Sequence, residues 1–329
     1  MSGAGFERAV VLAGGLALER EVSLRSGRRV ADALRHAGVE TAVLDADADL
    51  LPALAADPVD AVFIALHGAT GEDGSLRSVL ELAGVPFVGT PAERCRIAWD
   101  KPSAKTVVRA AGHLTPDWVA LPHATFRELG AGAVLDLIVA RLGLPLMLKP
   151  AQGGSALGVE RIGAATDLPS AMVNCFAYGD TVLIERFVEG TEVAVSVLGS
   201  DEESRALPAV EIVPASGVFD YAARYTAGMT AYHTPARLAP DVTERVAQLA
   251  VDVHRALGLR DLSRTDAIVD AEGGVHFLEV NVSPGMTQTS MLPMSIAAAR
   301  LDLGQALRAM IAAAASRTDM LGNKSTVRV

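Results

Sequence analysis

Near the C-terminus, two apolar, strand-like runs flank Glu272-Gly273 in the stretch Arg264-Thr-Asp-Ala-Ile-Val-Asp-Ala-Glu-Gly-Gly-Val-His-Phe-Leu-Glu-Val-Asn-Val-Ser-Pro-Gly285. A two-residue connection of this kind reads as a β-hairpin turn. Closing the ladder on it sets Ala271 against Gly274. Counting outward sets Asp266 opposite Glu279, with Arg264 opposite Asn281 on the same face, because side chains alternate with period two. Two carboxylates ~5 Å apart on an apolar hairpin repel each other, so the pair calls for a cation. The donors (Asp266, Glu279, Asn281) are all oxygens, which selects a hard ion, Mg²⁺ or Mn²⁺. Mg²⁺ held by few protein ligands completes its shell with water and phosphate oxygens, which points to a nucleoside triphosphate. The inference rests on register: a slip of one residue would send the two acids to opposite faces.

The remainder of the chain must build a pocket around that hairpin. With 329 residues it is long for one core and suits two or three subdomains. Half the residues are apolar and the mean hydropathy is +0.30, as in a globular protein. No uncharged run reaches the ~18–20 residues of a membrane span, so no membrane partner is expected. The N-terminus has no basic region followed by an apolar core, so no secretory signal is expected. Cys95 and Cys175 are too few for a disulfide framework or a zinc site. Together these predict a cytoplasmic location. A net charge of −10 without a Lys/Arg block argues against nucleic acid as a partner. Of the 29 basic residues only Lys101, Lys105, Lys149 and Lys324 are lysines. In so Arg-rich a chain, a lysine hints at a specific need.

The first third reads as α/β. Ala9–Leu12, Thr41–Leu44, Ala61–Leu66 and Pro86–Val88 are strand-like, and a helix N-capped by Ser23 runs to Gly38. Such alternation predicts a parallel sheet with ligand-binding loops at the strand C-termini. Later come the strand Pro145–Lys149, strands at Thr181–Glu185 and Thr191–Leu198, and a strand near Ala209–Val213. A long loop then runs from Ser216 to Pro235, before a helix with an Asp241/Glu244 capping box. The chain after Ser316 has little apolar content and reads as a mobile tail.

The common nucleotide fingerprints are missing. There is no G-x-x-x-x-G-K-[ST], and Ala13-Gly-Gly-Leu-Ala-Leu is not G-x-G-x-x-G. Lys149 instead leads into Gln152-Gly-Gly-Ser-Ala-Leu-Gly158, where glycines let backbone N–H groups approach phosphate and the lysine adds a point charge. A phosphate clamp thus faces a metal pair.

Three blocks carry a family resemblance: Gly14-Gly-Leu-Ala-Leu-Glu-Arg-Glu-Val-Ser-Leu24, His67-Gly-Ala-Thr-Gly-Glu-Asp-Gly74 and Leu278-Glu-Val-Asn-Val-Ser-Pro-Gly-Met286. In this order the chain resembles the D-alanine–D-alanine ligases of the ATP-grasp superfamily, from Val10 to about Leu307. The resemblance implies a three-domain ATP-grasp architecture, α/β at the N-terminus and α+β in the C-terminal parts. The N-terminal parallel α/β domain would span 1–98, and the central domain with the Gly-rich loop 99–190. The C-terminal domain with metal site, lid and oxyanion hole would span 191–315, leaving 316–329 as the tail.

The same resemblance implies ATP and two Mg²⁺ or Mn²⁺ ions, with these roles. Lys101 and Lys149 contact ATP phosphates. Glu185 accepts from the adenine amino group, the Val188 backbone pairs with the ring, Glu192 holds the ribose, and Phe219 and Leu278 sandwich the base. Asp266, Glu279 and Asn281 hold the metals, agreeing with the register argument. Glu19 binds the ammonium of the first D-alanine and is linked through Ser155 to Tyr225, while His67 lies near the substrate carboxylate. Arg264 and the Gly285 N–H form the oxyanion hole. Ser290 and the Met291 N–H hold the carboxylate of the second D-alanine. The Ser216–Pro235 loop serves as the lid, excluding water from an acyl phosphate.

Some positions depart from the family pattern. Arg186 and Arg224 stand where lysine is common, Ala156 where a second serine is common, and Met291 for leucine. The lid is one residue shorter between Phe219 and Tyr221. The family implies a homodimer and a role in making peptidoglycan precursors. Ligation to D-lactate or D-serine, and a non-catalytic nucleotide-binding module, are the alternatives; Arg264 and Gly285 serve no purpose in the last.

Overall fold

The computed structural model describes residues 8–226 and 228–321, the side chains of Tyr225 and of residues 318–321 excepted. Strands Arg8–Ala13, Glu40–Asp45, Ala61–Ile64 and Phe87–Val88 form the predicted parallel sheet. Its side chains alternate between two cores, as in a sheet covered by helices on both faces. Val11 and Phe63 pack with Val30 and Leu34 of helix Arg20–His36 and with Leu307 and Ile311 of the last helix. Leu12 and Ile64 pack with Leu50, Leu54, Leu76 and Leu80 on the other side.

The first helix starts at Arg20, and Ser23 is not its cap. The Ser23 hydroxyl instead accepts from the Gly14 N–H (2.9 Å) and donates to the Ala65 carbonyl (2.9 Å). It thereby ties the Gly14-Gly15 turn to a strand end. A side chain at Gly14 (φ +98°) would put its Cβ 2.3 Å from the Asp45 carboxylate, which accepts from the Gly15 N–H at 2.7 Å.

The mobile tail expected from Ser316 is corrected for its first six residues, because helix Leu303–Leu321 continues through them. Its apolar side is buried against the N-terminal sheet, and Arg317 grips Asp261 with both terminal nitrogens (2.9 and 2.8 Å). Asp261 also accepts from the Gly89 N–H at 2.7 Å, so one buried carboxylate joins three parts of the chain. Residues 322–329 lie outside the described residues.

The central sheet is antiparallel, ordered Trp118–Pro122, Thr181–Arg186, Leu146–Pro150, Glu160–Ile162. The C-terminal sheet runs Thr230–His233, Val210–Pro214, Thr191–Leu198, Leu262–Val269, Val275–Asn281, with Arg205–Ala206 pairing beside Thr191–Leu198. Helices Ala92–Trp99 and Lys101–Ala110 lend Cys95, Ala98, Ala104 and Val108 to the core of this second sheet. The boundary expected at residue 99 therefore falls inside a helix pair that closes the C-terminal core. The helix after the Ser216–Pro235 segment is also capped differently: Pro240 opens it behind Ala239, and Asp241 pairs with Arg245 one turn on (2.9 Å) rather than forming a capping box.

The hairpin register holds where it matters and fails at the turn. Asp266 faces Glu279 and Arg264 faces Asn281, but the inner pairs are Ala267 with Phe277 and Val269 with Val275. The turn is a longer loop in which the Asp270 carboxylate accepts from Glu272 and Gly274 N–H groups. A bulge at Leu278 absorbs the one-residue difference. Phe277 and Val280 both stay in the core, so Leu278 and Glu279 turn together toward the cleft.

Candidate active site

A cleft of about 590 Å³ opens between the central and C-terminal sheets. Every residue expected to meet ATP lines it: Lys101, Lys149, Glu185, Arg186, Val188, Glu192, Phe219, Arg224 and Leu278, together with Asp266 and Glu279. Lys101, first residue of its helix, donates to the Gly153 carbonyl (2.8 Å) and lies 3.4 Å from Glu279. Lys149 is the last residue but one of the strand Leu146–Pro150 and forms an ion pair with Glu185. Arg224 lies over the Phe219 ring, its Cζ 4.3 Å from the centroid. In the glycine loop, Ser155 and Ala156 both adopt φ +55°, left-handed backbone that non-glycine residues rarely take and that functional loops tolerate.

A second cavity of about 450 Å³ adjoins the first and shares Phe219, Arg224 and Gly154 with it. It is lined by Glu19, His67, Ser155, Arg264, Asn281, Gly285, Ser290 and Met291. Ser155 donates to Glu19 at 2.9 Å, joining the glycine loop to the N-terminal domain. The Tyr225 side chain lies outside the described residues, and with it the expected Ser155–Tyr225 link. Arg264 holds Asp266 in a two-pronged pair, Nε–Oδ1 2.7 Å and Nη2–Oδ2 2.8 Å. A Cβ on Gly285 would stand 2.7 Å from the Ser290 hydroxyl, so a side chain there would have to push that hydroxyl aside.

A family model for the D-ala D-ala ligase C-terminus matches residues 107–312, and one for its N-terminus matches residues 49–90. The chain belongs to the D-alanine–D-alanine ligase family. The D-alanine–D-alanine ligase of Anaeromyxobacter dehalogenans is 42% identical over 87% of this chain and 90% of its own length. The D-alanine–D-alanine ligase of Bacillus anthracis superposes with TM-score 0.79 at 30% identity, covering 96% of this chain and 99% of that one. The same Bacillus anthracis ligase complexed with ATP also gives 0.79, at 28% identity over 96% and 99%. The VanG D-Ala:D-Ser ligase of Enterococcus faecalis gives 0.80 at 27% identity, covering 94% and 99%.

Within this ligase fold, His67 lines the second cavity, and its ring is also tied into the protein. Its ring is buried, Nδ1 lies 3.2 Å from the Ser283 carbonyl and Nε2 3.1 Å from the Ser26 hydroxyl, which in turn accepts from the Met286 N–H (3.2 Å). One arrangement satisfies all three: Nδ1–H donates to Ser283 and Nε2 accepts from Ser26. Burial lowers its pKa to about 4, so the ring is neutral and supplies no charge to a carboxylate. His67 anchors the segment carrying Gly285. Sequence reasoning missed Ser26, although it lies one turn after Ser23 on the inward helix face.

Lys105 was also missed as a site residue. It is fully buried and 2.8 Å from Glu185, so that carboxylate sits between two lysines. Burial lowers the Lys105 pKa to about 8 despite Glu185. Burial raises the Glu185 carboxyl, but Lys149 and then Lys105 outweigh it and hold it ionised. The scarcity of lysine was the available signal.

Glu279 shows the same contest. Burial pushes it up, and Lys101, Arg224, Lys149 and Arg264 bring it down to about 2. Glu72 and Glu192 behave oppositely, since burial raises each to about 7 against the usual 4.5.

These shifts predict how the ligase responds to acid. His67 and His254 have folded pKa values near 4 against 6.5 unfolded, so each costs stability as pH falls through that window. Glu72 and Glu192, raised from 4.5 to about 7, gain stability as pH falls from about 7 to 4.5. The two pairs oppose each other, so stability is nearly flat between about 4.5 and 6.5. Below that, Glu279 and the other depressed carboxylates make it fall. Urea unfolding across pH checks the balance: Glu72→Gln should make stability fall on acidification, and His254→Asn should make it rise. Equal slopes in the two variants would contradict it.

Proposed function

We propose that this ligase joins two D-alanines at the expense of ATP, through an acyl phosphate, and so supplies a peptidoglycan precursor. One observation carries the reading: the cleft with Asp266, Glu279, Lys101 and Lys149 opens directly into the cavity holding Glu19, Arg264 and Gly285. A carboxylate is a poor acyl donor. Its oxygen must first take the γ-phosphoryl group of ATP, releasing ADP, and the second amine then attacks the carbonyl, losing a proton and expelling phosphate.

Each group has one task in that sequence. Lys101 and Lys149 hold the phosphates, while Glu185, Val188, Phe219 and Leu278 receive the base and Glu192 the ribose. Glu19, held by Ser155, orients the ammonium of the first D-alanine so that its carboxylate faces the phosphate. Arg264 and the Gly285 N–H meet the tetrahedral oxyanion. Ser290 and Met291 receive the second substrate.

The residues fit a hard divalent cation. Among the described residues no group of three or more His, Cys, Asp and Glu side chains forms a metal cluster. An ion would therefore rest on the facing Asp266 and Glu279 carboxylates and the Asn281 amide, an all-oxygen set suited to Mg²⁺ or Mn²⁺. Bound there, the ions would neutralise charge on the transferring phosphoryl group. Arg264 pairs with Asp266 in the structure; an ion held by Asp266 would share that carboxylate and leave guanidinium donors for the oxyanion.

No helix among the described residues is long and apolar enough to cross a membrane. The family pattern supports a homodimer. Phosphate release from ATP with Mg²⁺ tests the activity, with D-alanine, D-lactate and D-serine as second substrates. The expected result is release that depends on D-alanine and is fastest with a second D-alanine. No release dependent on an amino acid would overturn the ligase reading. Turnover with D-lactate or D-serine equal to that with D-alanine would overturn the preference.

A further inference from the structure

The helix Arg20–His36 sends another group into the 450 Å³ cavity. Arg29 lines it, as do Thr287, Ser290 and Met291, and its Nη1 is buried without a hydrogen-bond partner. A buried charged donor left unmade costs free energy, and marks a place built for a partner. This helix face abuts the opposite wall of the cavity, because Ser26, three residues earlier, bonds to the Met286 N–H.

The other cations in the cavity are engaged elsewhere. Arg264 is paired at both prongs with Asp266. Arg224 also has a buried unpartnered nitrogen, but it lies over Phe219 and lines the nucleotide cleft as well. Arg25 is exposed and donates to its own helix at Glu21. Arg29 thus remains as the cation of this cavity with a buried nitrogen to offer a ligand that also meets Thr287, Ser290 and Met291. There the Thr287 and Ser290 hydroxyls lie 2.8 Å apart, and Met291 opens a helix whose first N–H groups have no partners within it. A guanidinium, two hydroxyls and a helix N-terminus together form a receptor for a carboxylate.

We propose that Arg29 binds the α-carboxylate of the second, amine-donating amino acid and selects acceptors that carry that charge. The proposal rests on the reading of this cavity as the second-substrate site. The charge comes from the first helix of the N-terminal domain, so acceptor selection draws on both ends of the chain.

Steady-state kinetics with MgATP test it, comparing D-alanine with D-alaninamide as acceptor. Arg29→Met keeps the stem and removes the charge. Its KM for the second D-alanine should rise about 10- to 100-fold, the worth of a hydrogen bond to a charged group, with a much smaller change in kcat. Use of the amide should hardly change, so the preference for D-alanine over the amide collapses. Arg29→Lys should restore part of it. An unchanged KM, or equal losses with both acceptors, would overturn the role of Arg29, the second result marking a structural effect. A wild-type enzyme that releases no phosphate with D-alanine would instead overturn the ligase reading, and this proposal with it. Matching thermal unfolding of the variants and wild type excludes misfolding as the source.

Discussion

Glu279→Gln is expected to abolish turnover while leaving the fold intact. The substitution keeps size and one acceptor oxygen but removes the charge opposite Asp266. Several kcal/mol of charge stabilisation at the transferring phosphoryl group corresponds to a loss of about 10³-fold or more. The fold should survive because Glu279 faces the cleft, although the change gives up the attraction of Lys101, Arg224, Lys149 and Arg264 for its charge. Phosphate release and dipeptide formation measure the loss, and circular dichroism with thermal unfolding checks the fold. Full activity in a folded variant would refute the metal assignment. Activity restored by raising Mg²⁺ would show that Glu279 only strengthens ion binding.

Arg264→Lys should separate the two chemical steps. Lysine keeps the charge near Asp266 but replaces the two-pronged fork with a single point. The fork is 2.7 and 2.8 Å from Asp266, a geometry that one ammonium does not reproduce. Losing an oxyanion donor costs about 10²- to 10³-fold, so dipeptide formation should fall by that much. Acyl phosphate formation should persist, read as scrambling of isotopic oxygen between the bridging and non-bridging positions of ATP. A parallel loss of scrambling and ligation would place Arg264 in the first step instead and refute its oxyanion role.

The hairpin shows how far residue patterns reach. The facing pairs Asp266 with Glu279 and Arg264 with Asn281 are as counted, although the turn used for counting was misassigned. The longer Asp270–Gly274 loop shifts the inner ladder by one, and the bulge at Leu278 shifts it back. Core packing enforces the repair: Phe277 and Val280 must both be buried, so the residues between them must share the other face. Alternation marks which side chains are buried, whereas a turn between two polar residues leaves little trace of its length. The last helix was cut short at Ser316 for a related reason. Low apolar content predicts little order, but Arg317 is held by a buried acid far away in sequence.

His67 marks the boundary most clearly. A histidine beside glycine at a strand end is legible as a candidate, and its place beside the second cavity agrees. Whether it carries charge depends on burial and on Ser26 and Ser283, partners from two distant segments. The sequence alone determined the parallel N-terminal sheet, the facing oxygen side chains Asp266 and Glu279, and two of the scarce lysines as candidates for the cleft they line, because periodicity and side-chain chemistry are local properties. The tertiary structure alone decided that Lys105 shares Glu185 with Lys149, that His67 is neutral, and that Arg29 lines the second cavity with a buried, unpartnered nitrogen. Those outcomes depend on desolvation and on which remote groups meet, and both are set only when the chain closes on itself.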